Sequence, residues 1–206
     1  MTPGIVIVGA GGHAKVCIEL LHAMQRPLAC CIGGDESEDF CLDVPVLRGD
    51  AHLARLRDEG FDEAFIAIGS NAVRQKLAHQ ARALGFRLVN AISPNACVSP
   101  TARLGQGIAV MAGAVINASA TLADLVIINT LASVDHDGDI GKAAHIAPHC
   151  ALAGNVKLGE RSFLGVGSKV IPGIEIGRDV LAGAGSVIVA NVQEGARIKG
   201  VPAKPY

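Results

Sequence analysis

From Ile92 onward a branched aliphatic residue returns at every sixth position: Ile92, Val98, Leu104, Val110, Ile116, Leu122, Ile128, Val134, Ile140, Ile146, Leu152, Leu158, Leu164, Val170, Ile176 and Ile188, with Ala182 the one interruption. Two positions earlier the side chain is mostly small, as at Ala96, Ala102, Ala114, Ala120, Ala132, Ala144, Ser162, Ser168 and Ser186, and Gly follows the aliphatic at 105, 141, 159, 165, 177 and 183. A period of six is even and so suits strands, but two-residue alternation does not reserve one slot for bulk and another for small groups. A triangular coil does. Three hexads complete one turn of a parallel β-helix, with the aliphatic side chain pointing inward from each face and the small residue at the corner. The Gly positions are expected where the chain turns sharply.

The chain before this repeat has another character. Gly4–Val8 reads as a buried strand and His13–Met24 as a helix, with a Gly-rich turn between them that opens a βαβ unit. Further strands are predicted at Leu28–Ile32 and Ala64–Ile68, and helices at Ala51–Glu59 and Ala72–Leu84, the last with Asn71 as N-cap. This alternation implies a small parallel sheet with helices on its faces. The chain is therefore expected to hold an α/β domain over residues 1–90 and a parallel β-helix with a C-terminal tail over 91–206. Gly9-x-Gly11-x-x-Ala14 lies between strand and helix, where backbone N–H groups favour a phosphate. A domain of this size is half of a dinucleotide fold, so it suits a mononucleotide sugar better than NAD.

Composition removes several function classes. Eighteen Lys and Arg against nineteen Asp and Glu leave a formal charge of −1 with no basic run, and there is no Trp, one Tyr and five Phe, which argues against nucleic acid and anionic membranes as partners. The most apolar window, Gly107–Leu125, contains Asn117, Ser119, Thr121 and Asp124 and shares the hexad period, so it does not read as a membrane span. Met1-Thr2-Pro3-Gly4 and the short apolar run after it lack the features of a signal peptide, and the six cysteines show no Cys-x-x-Cys pair and no metal spacing. A cytoplasmic protein with reduced, buried thiols is the expectation.

The segments Ile5-Val6-Ile7-Val8-Gly9-Ala10-Gly11-Gly12-His13, Val134-Asp135-His136-Asp137, His145-Ile146-Ala147 through Ala153-Gly154-Asn155-Val156, and Gly200-Val201-Pro202-Ala203-Lys204 together resemble one family. It is that of the sugar-nucleotide acetyltransferases, which includes the bacillosamine and perosamine N-acetyltransferases and the sialic acid O-acetyltransferase. The resemblance implies a homotrimeric acyltransferase of surface-glycan biosynthesis. It further implies that the α/β N-terminal domain is Rossmann-like and holds a nucleotide-linked amino-deoxy sugar, and that the parallel β-helix is left-handed and holds acetyl-CoA at subunit interfaces, with no metal.

Acetyl transfer from a thioester needs a base beside the acceptor and a hydrogen-bond donor where the oxyanion develops. His136 is the best base on offer: it lies two residues past the inward Val134, and Asp135 or Asp137 is placed to hold its tautomer. The resemblance favours Asp137. One coil is eighteen residues, which sets Gly154 about 5 Å above His136, where its N–H serves as a donor. The resemblance further implies that His145, Val166, Ala184 and Lys204 contact acetyl-CoA, that Asn129 lies near the acceptor, and that Gly11, Gly12, His13 and Gly69 line the sugar-nucleotide site. Cys150 occupies a small inward slot and reads as packing, so direct attack in a ternary complex is expected rather than a covalent enzyme intermediate. After the second strand, where bacillosamine relatives carry paired acids, this chain has Gly33-Gly34 before Asp35, which leaves the nucleotide base open. Three other readings stand beside N-acetylation: O-acetylation of sialic acid or another sugar, a zinc hydratase built on His136, His145 and His149, and a noncatalytic sugar-nucleotide binder.

Overall fold

The computed structural model describes residues 4–206. Met1, Thr2 and Pro3, which belong to the segment read as lacking signal-peptide features, lie outside the described residues. The chain divides into two compact units, Met1–Ile92 and Ser93–Tyr206.

The first unit is built on a six-stranded sheet. Its elements are β1 (Ile5–Val8), α1 (Gly12–Ala23), β2 (Leu28–Gly33), β3 (Phe40–Cys41), β4 (Val44–Arg48), α2 (Ala51–Asp58), β5 (Glu63–Ile66), α3 (Asn71–Ala83) and β6 (Arg87–Leu88). The strand order is β3-β4-β2-β1-β5-β6, parallel except for the β3–β4 hairpin. β1 and β5 are fully buried apolar runs apart from Glu63, as a strand covered on both faces must be. Glu63 is held by Arg26 and Arg87. Because the chain leaves β1 toward β2 on one side and enters β5 on the other, the sheet has its switch point between β1 and β5, and the crevice outside their C-terminal ends is where such folds place ligands. The β3–β4 hairpin and β6 were not legible in the sequence, and the N-cap of α3 is Ser70 rather than Asn71, which is already helical.

The second unit is a left-handed parallel β-helix of two-residue strands in eighteen-residue register. Its first face stacks Ala109–Val110, Ile127–Ile128, His145–Ile146, Phe163–Leu164 and Leu181–Ala182. The second stacks Cys97–Val98, Val115–Ile116, Ser133–Val134, Ala151–Leu152, Lys169–Val170 and Val187–Ile188. The third runs from Arg103–Leu104 through Thr121–Leu122, Asp139–Ile140 and Lys157–Leu158 to Glu175–Ile176. The aliphatic residue of each pair from Val110 to Ile188 is buried, and so are the small corner residues from Ala114 to Ser186. Five of the six cysteines are buried; Cys97, on the second face, is exposed.

The glycines do a different job from the one the sequence suggested. Positive φ falls three residues after each inward residue from Leu104 to Ala182, at Gly113, Gly167 and Gly185 but equally at Leu131, Ala143, Asn155 and Arg161. Gly105, Gly141, Gly159, Gly165 and Gly177 instead lie flat against the next coil: a Cβ on Gly141 would stand 2.6 Å from the Glu160 nitrogen, and one on Gly165 2.7 Å from that of Ala184. These positions are small because coils stack at strand spacing and leave no room for a side chain. Gly141→Ala is expected to lower unfolding free energy by about 1–3 kcal/mol. Gly34→Ala, where an added Cβ meets nothing within 4 Å, is expected to stay within about 0.5 kcal/mol; denaturant titration of the two variants checks the difference.

Candidate active site

Val134 points into the core, and the chain then turns the corner between the second and third faces through Asp135, His136 and Asp137. Asp137 takes the left-handed conformation, φ 57°, and its Oδ2 is 2.8 Å from Nδ1 of His136. Asp135 faces the other way: its Oδ1 accepts the His136 backbone N–H at 2.7 Å and the Asn117 amide at 2.8 Å, which holds its carboxyl below the usual range. Of the two flanking acids, Asp137 is therefore the one that orients the ring. Its hydrogen bond raises the His136 pKa above the ordinary imidazole value, with the charges of Asp135 and Asp137 adding to the effect. Nδ1 donating to Asp137 leaves Nε2 as the basic atom.

Nε2 points at Gly154. A Cβ on Gly154 would overlap Nε2 and stand 2.5 Å from Cε1 of the His136 ring, so only glycine at 154 admits the imidazole in this position. The Gly154 carbonyl accepts from Gly173 and the next amide, Asn155 N–H, donates to the His136 carbonyl, but among the described residues nothing accepts from the Gly154 N–H. The corner thus offers a base and an amide donor side by side. Cys150 is buried, donates its thiol to the Gly165 carbonyl at 3.1 Å and has its pKa raised by burial, which fits a packing role.

Asn129 and His145 form a second pair, on the first face and the corner after it, with Nδ2 of Asn129 3.1 Å from Nε2 of His145. His145 points outward yet is 9% exposed, set edge-on against Phe163 with ring centroids 5.1 Å apart. Val166 and Ala184 are exposed on that same corner, one coil apart, and Lys204 is exposed in the C-terminal antiparallel pair with Arg197–Lys199. Within one chain the His136–Gly154 corner and the Asn129–Val166–Ala184 corner flank the second face. Among the described residues no group of three or more His, Cys, Asp or Glu stands in metal-ligating geometry, so His136, His145 and His149 do not converge within the chain.

In the first unit, Gly11, Gly12 and His13 start α1 and Gly69 lies in the turn after β5, all at the switch point. The glycines here fall into two kinds. Gly9 has φ +122° and its missing Cβ leaves room for the Ala67 carbonyl, so the fold requires it. Gly11, Gly12 and Gly69 have no positive φ, and an added Cβ would meet nothing within 4 Å. Neither backbone conformation nor packing requires glycine at these three, and their bare backbone leaves the crevice open to close approach. Gly11 caps α1 without a side-chain hydrogen bond, leaving its N-terminal amides directed at the crevice.

One residue of this region was not legible in the sequence. Arg74, in the second turn of α3, is 1% exposed. Its Nη1 donates to the carbonyls of Ile68 and Gly69, both at 3.0 Å, and its Nη2 to Oδ1 of Asn71 at 2.9 Å. Burial lowers its pKa to about 10, and burial, followed by the Arg74 charge, lowers that of His13 to about 4. His13 is thus neutral at physiological pH.

Comparison with known proteins agrees with this architecture. Residues 4–81 match the family of the PglD N-terminal domain. PerB from Caulobacter crescentus, solved with CoA and GDP-perosamine, is 51% identical with a TM-score of 0.97 over 100% of this chain and 98% of that one. The acetyltransferase domain of PglB from Neisseria gonorrhoeae, solved with acetyl coenzyme A, is 40% identical with a TM-score of 0.91 over 98% of each chain. The UDP-N-acetylbacillosamine N-acetyltransferase of Bacillus subtilis is 35% identical over 52% of this chain, an alignment that spans about half (51%) of that relative. The chain belongs to the hexapeptide-repeat acetyltransferases of nucleotide sugars.

The pKa of His13 has a consequence for stability. The unfolded residue titrates near 6.5 and the folded one near 4, so between these values the unfolded chain binds a proton that the folded chain refuses. The His13 contribution is complete above pH 6.5 and is lost as pH falls toward 4. His13→Asn is expected to flatten the stability profile in that window, as read by denaturant midpoints from pH 4 to 7.

Proposed function

We propose that this protein transfers the acetyl group of acetyl-CoA to the amino group of a GDP-linked amino-deoxy sugar of the perosamine class. The observation that carries the reading is the His136 imidazole, held through Nδ1 by Asp137 and pressed through Nε2 against Gly154. The nucleotide follows from the 51% identity to the Caulobacter enzyme and from the glycines of the crevice, whose backbone is open to a ligand.

The amine attacks as its neutral form. As its nitrogen bonds to the acetyl carbon, Nε2 of His136 takes the proton, and the Gly154 N–H donates to the carbonyl oxygen as it gains charge. The carbon–sulfur bond then breaks, the thiolate of coenzyme A leaves, and the proton on His136 returns to it. Asp137 holds the ring and stabilises the imidazolium between these events. Asn129 and His145 border the acceptor and thioester, Val166, Ala184 and Lys204 run along the coenzyme, and Gly11, Gly12, His13 and Gly69 receive the nucleotide sugar.

The working form is a homotrimer. Exposed apolar residues support it: Leu131 and Val166 follow one corner, Ile171 and Val189 the next, and they bracket the second face. Packing those corners against one another from neighbouring chains joins the His136–Gly154 pair of one subunit to the Asn129–His145 side of the next. Three chains of 21.1 kDa give a particle of about 63 kDa, and a monomer by light scattering at micromolar concentration contradicts it. No helix among the described residues is long and apolar enough to cross a membrane, and a cytoplasmic location is part of the proposed reading.

Incubation with acetyl-CoA and a panel of GDP- and UDP-linked amino sugars, with free sialic acid included, tests the reading by thiol release; turnover with sialic acid alone contradicts it. His136→Ala is expected to lower kcat by about 10²–10⁴ with KM for acetyl-CoA nearly unchanged. Because Asp137 raises the His136 pKa, the wild-type rate should fall on the acid side from a point above the ordinary imidazole value of 6.5, and Asp137→Asn should move that limb to lower pH. Unchanged kcat in His136→Ala assigns the base to another residue.

A further inference from the structure

The turn Ile68-Gly69-Ser70 carries Gly69 into the crevice, and local sequence does little to fix it. The N-cap Ser70 makes no side-chain hydrogen bond to the helix, and Gly69 has neither positive φ nor a neighbour within 4 Å of its Cβ position. One side of the turn leans on Gly9, where a Cβ would stand 2.7 Å from the Ala67 carbonyl and 2.9 Å from Cδ1 of Ile68. The other side is held by the Arg74 guanidinium, which folds back over the first turn of α3 and takes the oxygens of Ile68, Gly69 and Asn71 in one fork. A long, flexible cation that is 1% exposed and spends its donors on a glycine turn is costly to place there unless the turn must be held.

We propose that Arg74 is a positioning residue for the nucleotide sugar: it fixes the Ile68–Gly69 turn, and with it the wall of the crevice that faces the α1 N-terminus. The inference rests on the nucleotide-sugar reading of that crevice. Arg74 touches no reacting atom, so it acts on binding of the acceptor and leaves chemistry at His136 and binding of acetyl-CoA alone. Its geometry is also specific to arginine. A lysine at this position keeps the charge but has a single nitrogen, which cannot bond three oxygens set around a planar fork.

Steady-state kinetics with GDP-perosamine and acetyl-CoA separate the possibilities. Arg74→Lys and Arg74→Met are each expected to raise KM for GDP-perosamine about tenfold or more, with KM for acetyl-CoA and kcat at saturation within about threefold of wild type. Asn71→Ala, which removes one of the three bonds and leaves the guanidinium in place, is expected to give a smaller increase of the same kind with an almost unchanged melting temperature, and it decides the matter if both Arg74 variants fail to fold. A purely structural role for Arg74 predicts lower melting temperatures with wild-type KM in the folded enzyme, and that result overturns the proposal. Calorimetry of the wild type with GDP-perosamine is the control: absence of binding removes the nucleotide-sugar reading and the inference with it, whereas wild-type binding together with wild-type KM in Arg74→Lys removes the inference alone.

Discussion

The structure depends on the stacking of like on like at eighteen-residue intervals. A two-residue strand has too few hydrogen bonds to be stable alone; it persists here because each carries the same inward aliphatic as the strands above and below it, so the three columns from Val110, Ile116 and Leu122 upward form one continuous core. The same register fixes what lies outside the core. Corner residues eighteen apart must be neighbours, and the packing of Gly154 against the His136 ring follows from that repeat rather than from any local feature of either segment. The His136–Gly154 corner is held by the column beside it, which gives two groups on turns the fixed geometry that the proposed acid–base chemistry needs.

Two histidines in this chain are tuned in opposite directions by simple means. His136 is exposed and its pKa is raised by the hydrogen bond that Nδ1 donates to Asp137 and by the charges of Asp135 and Asp137. His13 is lowered by burial and by the Arg74 cation. The first is set to take up a proton; the second stays neutral at the head of α1. Opposed environments of this kind divide labour between chemically identical side chains.

Much of this was legible in the sequence, because period and turn chemistry are local signals. The hexad repeat located the β-helix, the eighteen-residue coil placed Gly154 over His136, and Gly9-x-Gly11-x-x-Ala14 marked the turn between the first strand and the first helix. What was not legible depends on contacts across coils or across the sheet. The glycines after the aliphatics looked like turn formers, yet the left-handed positions accept Leu131, Ala143 and Arg161, and the glycines are needed where coils press together. Arg74 carries no local signal in the sequence; the returning turn before α3 supplies the carbonyls that its buried guanidinium binds. The short hairpin of Phe40–Cys41 and Val44–Arg48 has no periodicity long enough to detect.

In the proposed reaction one corner of the β-helix holds both the base and the oxyanion donor for acetyl transfer. A crystal structure of the protein with coenzyme A and GDP-perosamine would show this arrangement. The sugar amino nitrogen is expected within about 2.6–3.2 Å of Nε2 of His136, with the coenzyme sulfur running past the Gly154 N–H. Coenzyme bound away from that corner, or an amino nitrogen out of reach of His136, contradicts it.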